Sequence, residues 1–430
     1  MNVADSHWLS LALERKGHQP VEQDELADFV LLNTCSVREK PFQKVYSEIG
    51  RYKAVWEKNK LFFVGVGGCV AQQVGEDFWP KFPYVRLVFG TDGCWQVPGQ
   101  IDLLLTQPEL RISLLDFAPV YPEKPRVFPD RSQPSAFITI MQGCDNFCAY
   151  CIVPLVRGPQ KSRFKSNILA EARAWVERGA KELVLLGQNV NSYGQDKYGD
   201  GTSFVELLDE ISAIQGLKRL RFTTSHPKDL SLDLIELFAQ KEVLSPQLHL
   251  PLQSGSSKIL AKMGRKYDRK KYLDLIRRLK QARPEMAFST DVIVGFPGES
   301  EADFRQTLDV LTEVEFENVY VFKYNDRPGT AASKLTNKVE EEVKQERLLR
   351  LLEVQKFIRQ KLYQRQVGKI LEVLVEGQTS QVDVWRGRDN WNRVVNFKVN
   401  GAQLDKLLTD LVQVKITAAK KNSLWGELCL

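Results

Sequence analysis

The sequence predicts an α/β protein of several domains, because its 430 residues are too many for one hydrophobic core and fall into three kinds of segment. In the first, short β-branched apolar runs alternate with helical stretches, as in a Rossmann-like parallel sheet. In the second, six strand and helix signals alternate, which is typical of a partial (β/α) barrel. In the last, polar and apolar residues alternate with period two, which predicts a small antiparallel β-barrel.

The first segment, residues 1–117, places a cysteine after each of two strand candidates. Its apolar runs are DFVLLNT, KLFFVGVGG and RLVFGT; Cys35 follows the first and Cys69 closes the second. Parallel strands end at one edge of a sheet, where α/β folds place their sites, so the two thiols can face one crevice. The alternative is that each is a small buried residue, as free cysteines often are.

A proline-rich stretch separates this segment from the partial barrel. Residues 118–133 read PVYPEKPRVFPDRSQP and predict an extended linker, because proline restricts both itself and its predecessor. The barrel segment, residues 134–365, contains the strand candidates FITIMQG, ELVLLG, RLRFTT, QLHLPL, FSTDVIVGF and NVYVFKY and ends in a charged helix. The active site of such a barrel lies at the carboxyl ends of its strands.

Thiol and polar side chains follow the first five of these strands. They are Cys144, Gln188, Asn189, His226, Gln253 and Glu299. Because all of them come after strand ends, we expect them to surround one shared cavity.

The segment MQGCDNFCAYCIVP carries the most specific signal in the chain. Cys144, Cys148 and Cys151 supply three thiolates at Cys-x3-Cys-x2-Cys spacing, one fewer than a [4Fe-4S] cluster needs, so one iron stays open to an outside ligand. Zinc and three unrelated packing cysteines are the alternatives, but closed structural zinc sites require four ligands and no histidine lies near this loop. The spacing therefore predicts an iron–sulfur site.

The last segment, residues 366–430, contains the strand candidates KILEVLVEG, QVDVWRGR, RVVNFKV and VQVKITAA. Small barrels of this kind frequently bind nucleic acid strands. Three cations and an aromatic residue fall in one predicted loop and suit phosphate contacts and base stacking: Arg386, Arg388, Trp391 and Arg393. A solvated loop is the alternative.

The basic run RKYDRKKYLDLIRRLK after Gly264 predicts a solvated helix face, with contact to RNA as the alternative.

Composition excludes several other classes. The apolar fraction of 43% is that of a globular protein, and no apolar run approaches the roughly 20 residues of a membrane span. Seven cysteines without a framework spacing predict a reducing, cytoplasmic location. The net charge of +6 permits a polyanionic partner without requiring one.

Taken together, these motifs resemble the methylthiotransferase family along essentially the whole chain. NTCSVREK and GCVAQQ resemble its amino-terminal domain, and GCDNFCAYCIVPLVRG is similar to its radical S-adenosylmethionine (SAM) loop. LLGQNVNSYG, TTSHP, HLPLQSGS and DVIVGFPGE follow in the family order, and the tail resembles its RNA-binding TRAM domain. NTCSVREK, GQNVN and GRDNWNRVVNF are closest to the MiaB-type tRNA enzymes, which install a methylthio group on N6-isopentenyladenosine beside the anticodon.

The resemblance implies two [4Fe-4S] clusters and SAM as cofactors. Cys144, Cys148 and Cys151 would hold the cluster that cleaves SAM, while Cys35 and Cys69 would hold a second cluster that supplies sulfur. Tyr150 and Glu299, in the DVIVGFPGE strand end, would line the adenine side of SAM. Gln188 and Asn189 would contact its polar groups. The implied partners are the tRNA anticodon loop and an electron donor such as a flavodoxin or ferredoxin, with a monomeric enzyme and no membrane.

One departure from the family concerns the second cluster, which members hold with three cysteines. The first of these lies in a GCQMN-like motif, whereas this chain begins MNVADSHW, so only Cys35 and Cys69 remain to match. We expect that the chain starts at an internal methionine of a longer protein; natural shortening, or substitution by Cys94, are the alternatives. A missing ligand would leave an RNA-binding protein inactive in sulfur insertion. The branches acting on a ribosomal protein or on threonylcarbamoyl-adenosine share the architecture.

Overall fold

The computed structural model describes residues 1–36, 41–381, 383–399 and 411–429, and places them in two units. The first unit comprises Met1–Asp130, Met141–Phe147 and Cys151–Arg163. The second comprises Arg131–Ile140, Cys148–Tyr150 and Phe164–Leu430. Short pieces of the cysteine-rich loop are therefore shared between the two units.

A parallel sheet organises the first unit. In chain order its elements are α1 (Asn2–Glu14), β1 (Phe29–Thr34), α2 (Pro41–Arg51), α3 (Lys53–Lys58), β2 (Phe63–Gly68), α4 (Cys69–Val74), β3 (Val85–Phe89), α5 (Val97–Thr106) and β4 (Ile112–Leu114). The strands pair in the order β1-β2-β3-β4, all parallel. Every residue of β2 and β3 is buried, as expected of central parallel strands covered on both faces. The sequence predicted the first three strands; β4 is too short to give a pattern.

No helix or strand forms between β4 and residue 134, although this stretch packs against α1. The indole nitrogen of Trp8 donates a hydrogen bond to the carbonyl oxygen of Pro125 over 2.8 Å. The ammonium of Lys124 pairs with the carboxylate of Asp5, and both side chains are largely buried. The extended stretch is thus fixed to the first unit by named polar contacts.

The middle of the chain continues with β5 (Ser135–Thr139), β6 (Met141–Gln142), α6 (Val153–Arg157), β7 (Lys161–Ser162), α7 (Lys165–Glu177), β8 (Glu182–Leu186), α8 (Phe204–Ser212), β9 (Arg219–Phe222), α9 (Leu232–Gln240), β10 (Gln247–His249), α10 (Ser257–Lys262), α11 (Arg269–Ala282), β11 (Ala287–Val294), α12 (Glu301–Val314), β12 (Asn318–Lys323) and α13 (Glu341–Gln364). The run FITIMQG, read as one strand, divides into β5 and β6, and β6 pairs antiparallel with β7 in the first unit.

Six parallel strands of the second unit form the predicted partial barrel. β5-β8-β9 and β10-β11-β12 are each three-stranded parallel sheets. A parallel bridge between Leu220 and Leu244 joins them, so the two sheets continue into one another. Leu220, Val292 and their neighbours on the same face are buried, whereas the other face carries half-buried polar groups such as His249 and Asp291. The polar face is the one available to a substrate.

A closed five-stranded barrel ends the second unit. Its strands are β13 (Ile370–Gln378), β14 (Val384–Asp389), β15 (Val394–Lys398), β16 (Leu411–Ala419) and β17 (Leu424–Leu428), in the order β13-β14-β15-β17-β16. The predicted barrel is confirmed: four of the five pairings between its described strands are antiparallel, and β15 and β17 pair parallel. β17 was missed because glycine interrupts its short apolar pattern. Among the described residues, no helix is both long and apolar enough to cross a membrane.

Candidate functional site

The cysteine-rich loop lies between β6 and α6. Cys144 and Cys151 are half-buried, and Cys148 is buried. None of the seven cysteines, all within the described ranges, forms a disulfide. No three Cys, His, Asp or Glu side chains of the described residues are already arranged around one metal position. The ligand set therefore rests on the spacing of the loop and on its three soft thiol donors, which suit an iron–sulfur cluster.

Arg265 lies against the middle cysteine of this loop. Its Nη1 donates to the Cys148 sulfur over 3.4 Å and to the Tyr150 hydroxyl over 3.5 Å. Its guanidinium also lies 5.1 Å from the centre of the Tyr267 ring. Burial lowers the pKa of Arg265, but Tyr150, Tyr267 and Cys148 outweigh it and raise that pKa above its ordinary value. A fixed positive charge at a thiol favours the thiolate that binds metal.

Backbone contacts hold the Cys148–Tyr150 segment in place. The amide of Ala149 donates to the carbonyl of Met263 over 2.9 Å, and the amide of Ala332 donates to the Ala149 carbonyl over 2.7 Å. Ala149 and Tyr150 pack on a core cluster that includes Phe296. The segment is thus fixed to the end of α10 and to the loops that follow β11 and β12.

Asn189 occupies the predicted position at the end of β8. It is buried, and its Nδ2 donates to the Asp229 carboxylate over 2.8 Å. Its Oδ1 is buried without a hydrogen-bond partner in the described part of the chain. Because a buried polar atom normally has a partner, this oxygen is suited to a ligand's donor. Gln188 is half-buried beside it.

His226 and Gln253 lie at the next two strand ends. Burial first, and then the nearby charges of Arg265, Lys228, Lys266 and Lys271, lower the pKa of His226 to about 2, so its ring is neutral. Its Nδ1 accepts a hydrogen bond from the amide of Lys228 over 3.1 Å. Gln253 adopts a positive φ of 65°, which side chains other than glycine rarely take. Such strain at a strand end is typical of a functional site.

Glu299, which the resemblance assigns to SAM, also has partners within the protein. Its carboxylate Oε2 accepts from the Gly295 amide over 2.7 Å and from Arg347 Nη1 over 2.8 Å, and it is buried. Burial raises the pKa of Glu299 to about 7, although both of these contacts lower it. Glu299 therefore braces the turn after β11, because its oxygen is engaged inside the protein.

Sequence reasoning missed a polar group on the inner face of the barrel. The Nε2 atom of His249 on β10 lies 3.3 Å from the carboxylate of Asp291 on β11. The Nδ1 atom of the same ring lies 3.0 Å from the hydroxyl of Ser289. The Tyr320 ring of β12 meets the histidine edge-on. The sequence pattern could have indicated this group. Alternate residues of a strand point to the same face, and paired residues on adjacent strands share that face, so these positions on three neighbouring strands lie together.

Cys35 and Cys69 come together at the edge of the first unit's sheet. They follow Thr34 and Gly68, which are register partners on β1 and β2. Gly68 has a φ of 86°, and a Cβ there would lie 2.3 Å from the Thr34 carbonyl oxygen, so only glycine fits. The Thr34 hydroxyl accepts from the Val70 amide over 3.2 Å and so fixes the start of α4 next to Cys35.

Arg157 at the end of α6 faces these two cysteines. It is buried, and its Nη2 donates to the side-chain oxygen of Asn2 over 2.6 Å. Burial lowers the pKa of Arg157, but Cys69, Asp5 and Cys35 outweigh it and raise that pKa above its ordinary value; Cys69 is also its hydrogen-bond partner. Neither the spacing nor the motifs pointed to this arginine.

Cys94 does not fit the role of a substitute ligand. It lies in a core cluster with Leu9, Phe63 and Phe89 and is 3% exposed. Burial raises the pKa of its thiol to about 12, so the thiolate needed by a metal is disfavoured.

Two of the predicted RNA contacts in the carboxyl-terminal barrel lie on a strand and not in a loop. Arg386 and Arg388 are on β14, and both pair with Glu376, at 3.5 and 2.7 Å. Arg386 is exposed and Arg388 is half-buried. Trp391 is half-buried, and its indole nitrogen donates to the Glu285 carbonyl over 2.7 Å.

The prediction for Arg393 is wrong. Its guanidinium is 8% exposed and pairs with the carboxylate of Glu317 and, at 3.4 Å, with that of Asp389. Because both carboxylates are also buried, the arginine neutralises an internal charge and does not face solvent. It connects β15 to the start of β12.

A partial parallel barrel whose first strand is followed by a three-cysteine loop defines a radical SAM protein. The Radical SAM superfamily profile matches residues 138–311, that of the uncharacterized protein family UPF0004 matches residues 1–90, and that of the TRAM domain matches residues 364–429. A radical SAM protein binds a [4Fe-4S] cluster and SAM. The fold also resembles the radical SAM methyltransferase TsrM of Kitasatospora setae, with a TM-score of 0.55 at 16% identity over 77% of this chain and 73% of that one.

Curated relatives match along the whole length. A tRNA-2-methylthio-N(6)-dimethylallyladenosine synthase of Nitratidesulfovibrio vulgaris is 49% identical, covering 99% of this chain and 96% of the relative. Proteins of the same name from Lawsonia intracellularis and Geobacter sulfurreducens are 45% and 44% identical, over 96% and 95% of their lengths. The chain belongs to the tRNA-2-methylthio-N(6)-dimethylallyladenosine synthase family.

Proposed function

We propose that this protein is a tRNA methylthiotransferase, which converts N6-isopentenyladenosine next to the anticodon into its 2-methylthio derivative by radical SAM chemistry. The observation that carries the proposal is the 49% identity to a relative of that name over 99% of the chain. The cysteine loop, the paired Cys35 and Cys69 and the closed carboxyl-terminal barrel support the proposal.

In this proposal Cys144, Cys148 and Cys151 hold the [4Fe-4S] cluster that leaves one iron open for SAM. When bound, this cofactor pair supplies hydrogen abstraction from C2 of the adenine ring, a position that acid–base groups do not activate. Arg265 places a positive charge beside the sulfur of Cys148, and the contacts of Ala149 hold the loop in place. Tyr150, Gln188 and the open oxygen of Asn189 are assigned to orienting SAM.

A second cluster is assigned to the sheet edge of the first unit. Cys35 and Cys69 are adjacent there, and the guanidinium of Arg157 would balance the negative charge of a thiolate-ligated cluster. Its role is to supply the sulfur atom. The thiols of Cys35 and Cys69 are soft donors that suit an iron–sulfur cluster, and Cys94 is not among the proposed ligands.

The proposed partner is the anticodon loop of tRNA. The carboxyl-terminal barrel would contact RNA through Arg386 and Arg388, with Trp391 available for stacking. The target base must leave the stack to enter the cavity, which costs a few kcal/mol and less in an unpaired loop. A flavodoxin or ferredoxin would donate electrons to a monomeric enzyme in the cytoplasm.

The test is anaerobic reconstitution with iron and sulfide, followed by incubation with SAM, a reductant and anticodon stem-loops. One stem-loop carries N6-isopentenyladenosine and a matched one carries adenosine. We expect a 2-methylthio product, identified by mass spectrometry, from the isopentenylated RNA. SAM cleavage without product on either RNA, under conditions where an established relative is active, would contradict the proposal.

A further inference from the structure

Positive charge is concentrated in one part of this chain. Residues 257–282, which contain α10 and α11, carry ten Lys and Arg residues against two Asp, a net charge of +8. Because the whole chain has a net charge of +6, the remainder carries −2. The net positive charge of the chain therefore comes from this segment.

The exposed side of α11 presents much of this charge. Tyr272, Leu275, Ile276 and Leu279 are buried on the opposite side and pack the helix onto the barrel. We define the α11 basic face as Lys266, Arg269, Lys270 and Arg277. Arg269, Lys270 and Arg277, with Ser257 and Leu273, line an open cleft of about 350 Å³. Lys266 and Lys270 are exposed.

The carboxylates near this face neutralise it only in part. Asp274 pairs with Arg277 at 3.1 Å and also with Arg278 at 2.7 Å, so one negative charge serves two cations. Asp309 lies 3.9 Å from Arg269. Exposed pairs of this kind contribute at most about 1 kcal/mol, so a polyanion can displace them.

The amino-terminal end of the α11 basic face lies next to residues of the proposed catalytic site. Arg265, the residue before Lys266, donates to the sulfur of Cys148. The charges of Lys266 and Lys271 reach His226 at the end of β9. A strand of RNA lying on the face would therefore run toward the strand ends where the target base must enter.

We propose that the α11 basic face binds the sugar-phosphate backbone of the tRNA beside the modified loop. The inference rests on the proposed function and adds to it a second RNA surface. The cations of this face bind phosphates, while the open cleft leaves room for the backbone to follow the helix. The barrel cations Arg386 and Arg388 share Glu376 and carry less uncompensated charge.

The test compares two doubly charge-reversed proteins with the wild type. The test variant combines Lys270→Glu with Arg277→Glu. The matched control combines Lys218→Glu with Lys356→Glu, exposed cations before β9 and on α13, which change the net charge equally. Binding of a fluorescent anticodon stem-loop is measured between 50 and about 300 mM salt. Iron per chain and thermal unfolding establish that each protein is folded.

We expect the test variant to bind RNA at least about tenfold more weakly at low salt, with the salt slope reduced by about two, since two phosphate contacts are lost. The control should stay within about twofold of wild type. Equal weakening of both variants, or unchanged affinity in the test variant, would overturn the inference. So would lost methylthiolation at unchanged RNA affinity, which would indicate a protein partner on this face. Failure of the wild type itself to modify RNA would instead contradict the proposed function.

Discussion

Arg265 Nη1 lies 3.4 Å from the sulfur of Cys148, so a residue after β10 supports a cysteine more than a hundred positions earlier. Both residues are buried or half-buried, which strengthens their interaction relative to a solvent-exposed pair. The arginine is held in turn by the ring of Tyr267, whose hydroxyl donates to the carbonyls of Pro251 and Leu252. A cation, a thiol and a strand end are thereby linked in one network.

Removing this cation should impair the cluster. Arg265→Met is expected to lower iron per chain after reconstitution and to reduce SAM cleavage at least about tenfold, because Cys148 loses its charged donor. Arg265→Lys should recover part of both quantities, since it keeps the charge. Arg305→Met, at an exposed position on α12, is the control and should behave as wild type. Full iron content in Arg265→Met would contradict the assigned role.

Arg347 should stabilise the turn after β11 in a pH-dependent way. Arg347→Met leaves the Glu299 carboxylate buried without its cation and is expected to cost about 3 kcal/mol in the free energy of unfolding at pH 8. The cost should be smaller at pH 6. Glu299 already has a pKa of about 7, above its ordinary value, so the folded state binds more protons than the unfolded chain and loses stability as pH rises.

Denaturant unfolding at the two pH values measures this difference. Arg350→Met removes an exposed pair with Glu301 and serves as the control, with an expected cost below about 1 kcal/mol at either pH. The double substitution Arg347→Met with Glu299→Gln should regain stability at pH 8. If the cost of Arg347→Met in the free energy of unfolding rose as pH fell, the predicted pH dependence would be contradicted.

Substitution of Arg393 should affect stability, whereas substitution of Arg386 should affect RNA binding. Arg393→Met is expected to destabilise the protein by about 3 kcal/mol, because Glu317 and Asp389 remain buried without their cation. Arg386→Met should change stability by less than about 1 kcal/mol and weaken RNA binding severalfold. Thermal unfolding and RNA titration measure the two effects. The opposite pattern would restore Arg393 as an RNA contact.

Substitution of the cysteines in the first unit should distinguish ligands from core. Cys69→Ala is expected to lower iron per chain and abolish methylthiolation while SAM cleavage continues. Cys94→Ala should retain iron and product and cost about 1 kcal/mol of stability through the small cavity that it leaves. Iron loss in Cys94→Ala would make this residue a ligand after all.

Much of the fold could be predicted because strand signals are local. The six barrel strands and the first three sheet strands have apolar runs that fix their positions, as DVIVGF does for β11. β4 and β17 escaped prediction because β4 is too short to give a pattern and a glycine interrupts the apolar pattern of β17. The parallel pairing of β15 with β17 is a property of barrel closure that no local pattern encodes.

The site, like the fold, has residues that the sequence predicts and residues that only the structure identifies. The cysteine spacing and the strand-end position of Asn189 can be read from the sequence, because short motifs are local. Arg157 and Arg265 act across 88 and 117 positions of sequence on Cys69 and Cys148, so only the structure identifies them. The ion-pair partners and burial of Glu299 and Arg393 could not be read from the sequence, because they are set by tertiary contacts.

The role of the cysteine loop as the radical SAM centre is tested by SAM cleavage in the anaerobically reconstituted protein, compared with a variant carrying Cys144→Ala, Cys148→Ala and Cys151→Ala. The wild type should form 5′-deoxyadenosine with reductant, whereas the variant should lose about four irons per chain and all cleavage. Cleavage by the variant, or an unchanged iron content, would contradict the assignment of this loop as the radical SAM centre.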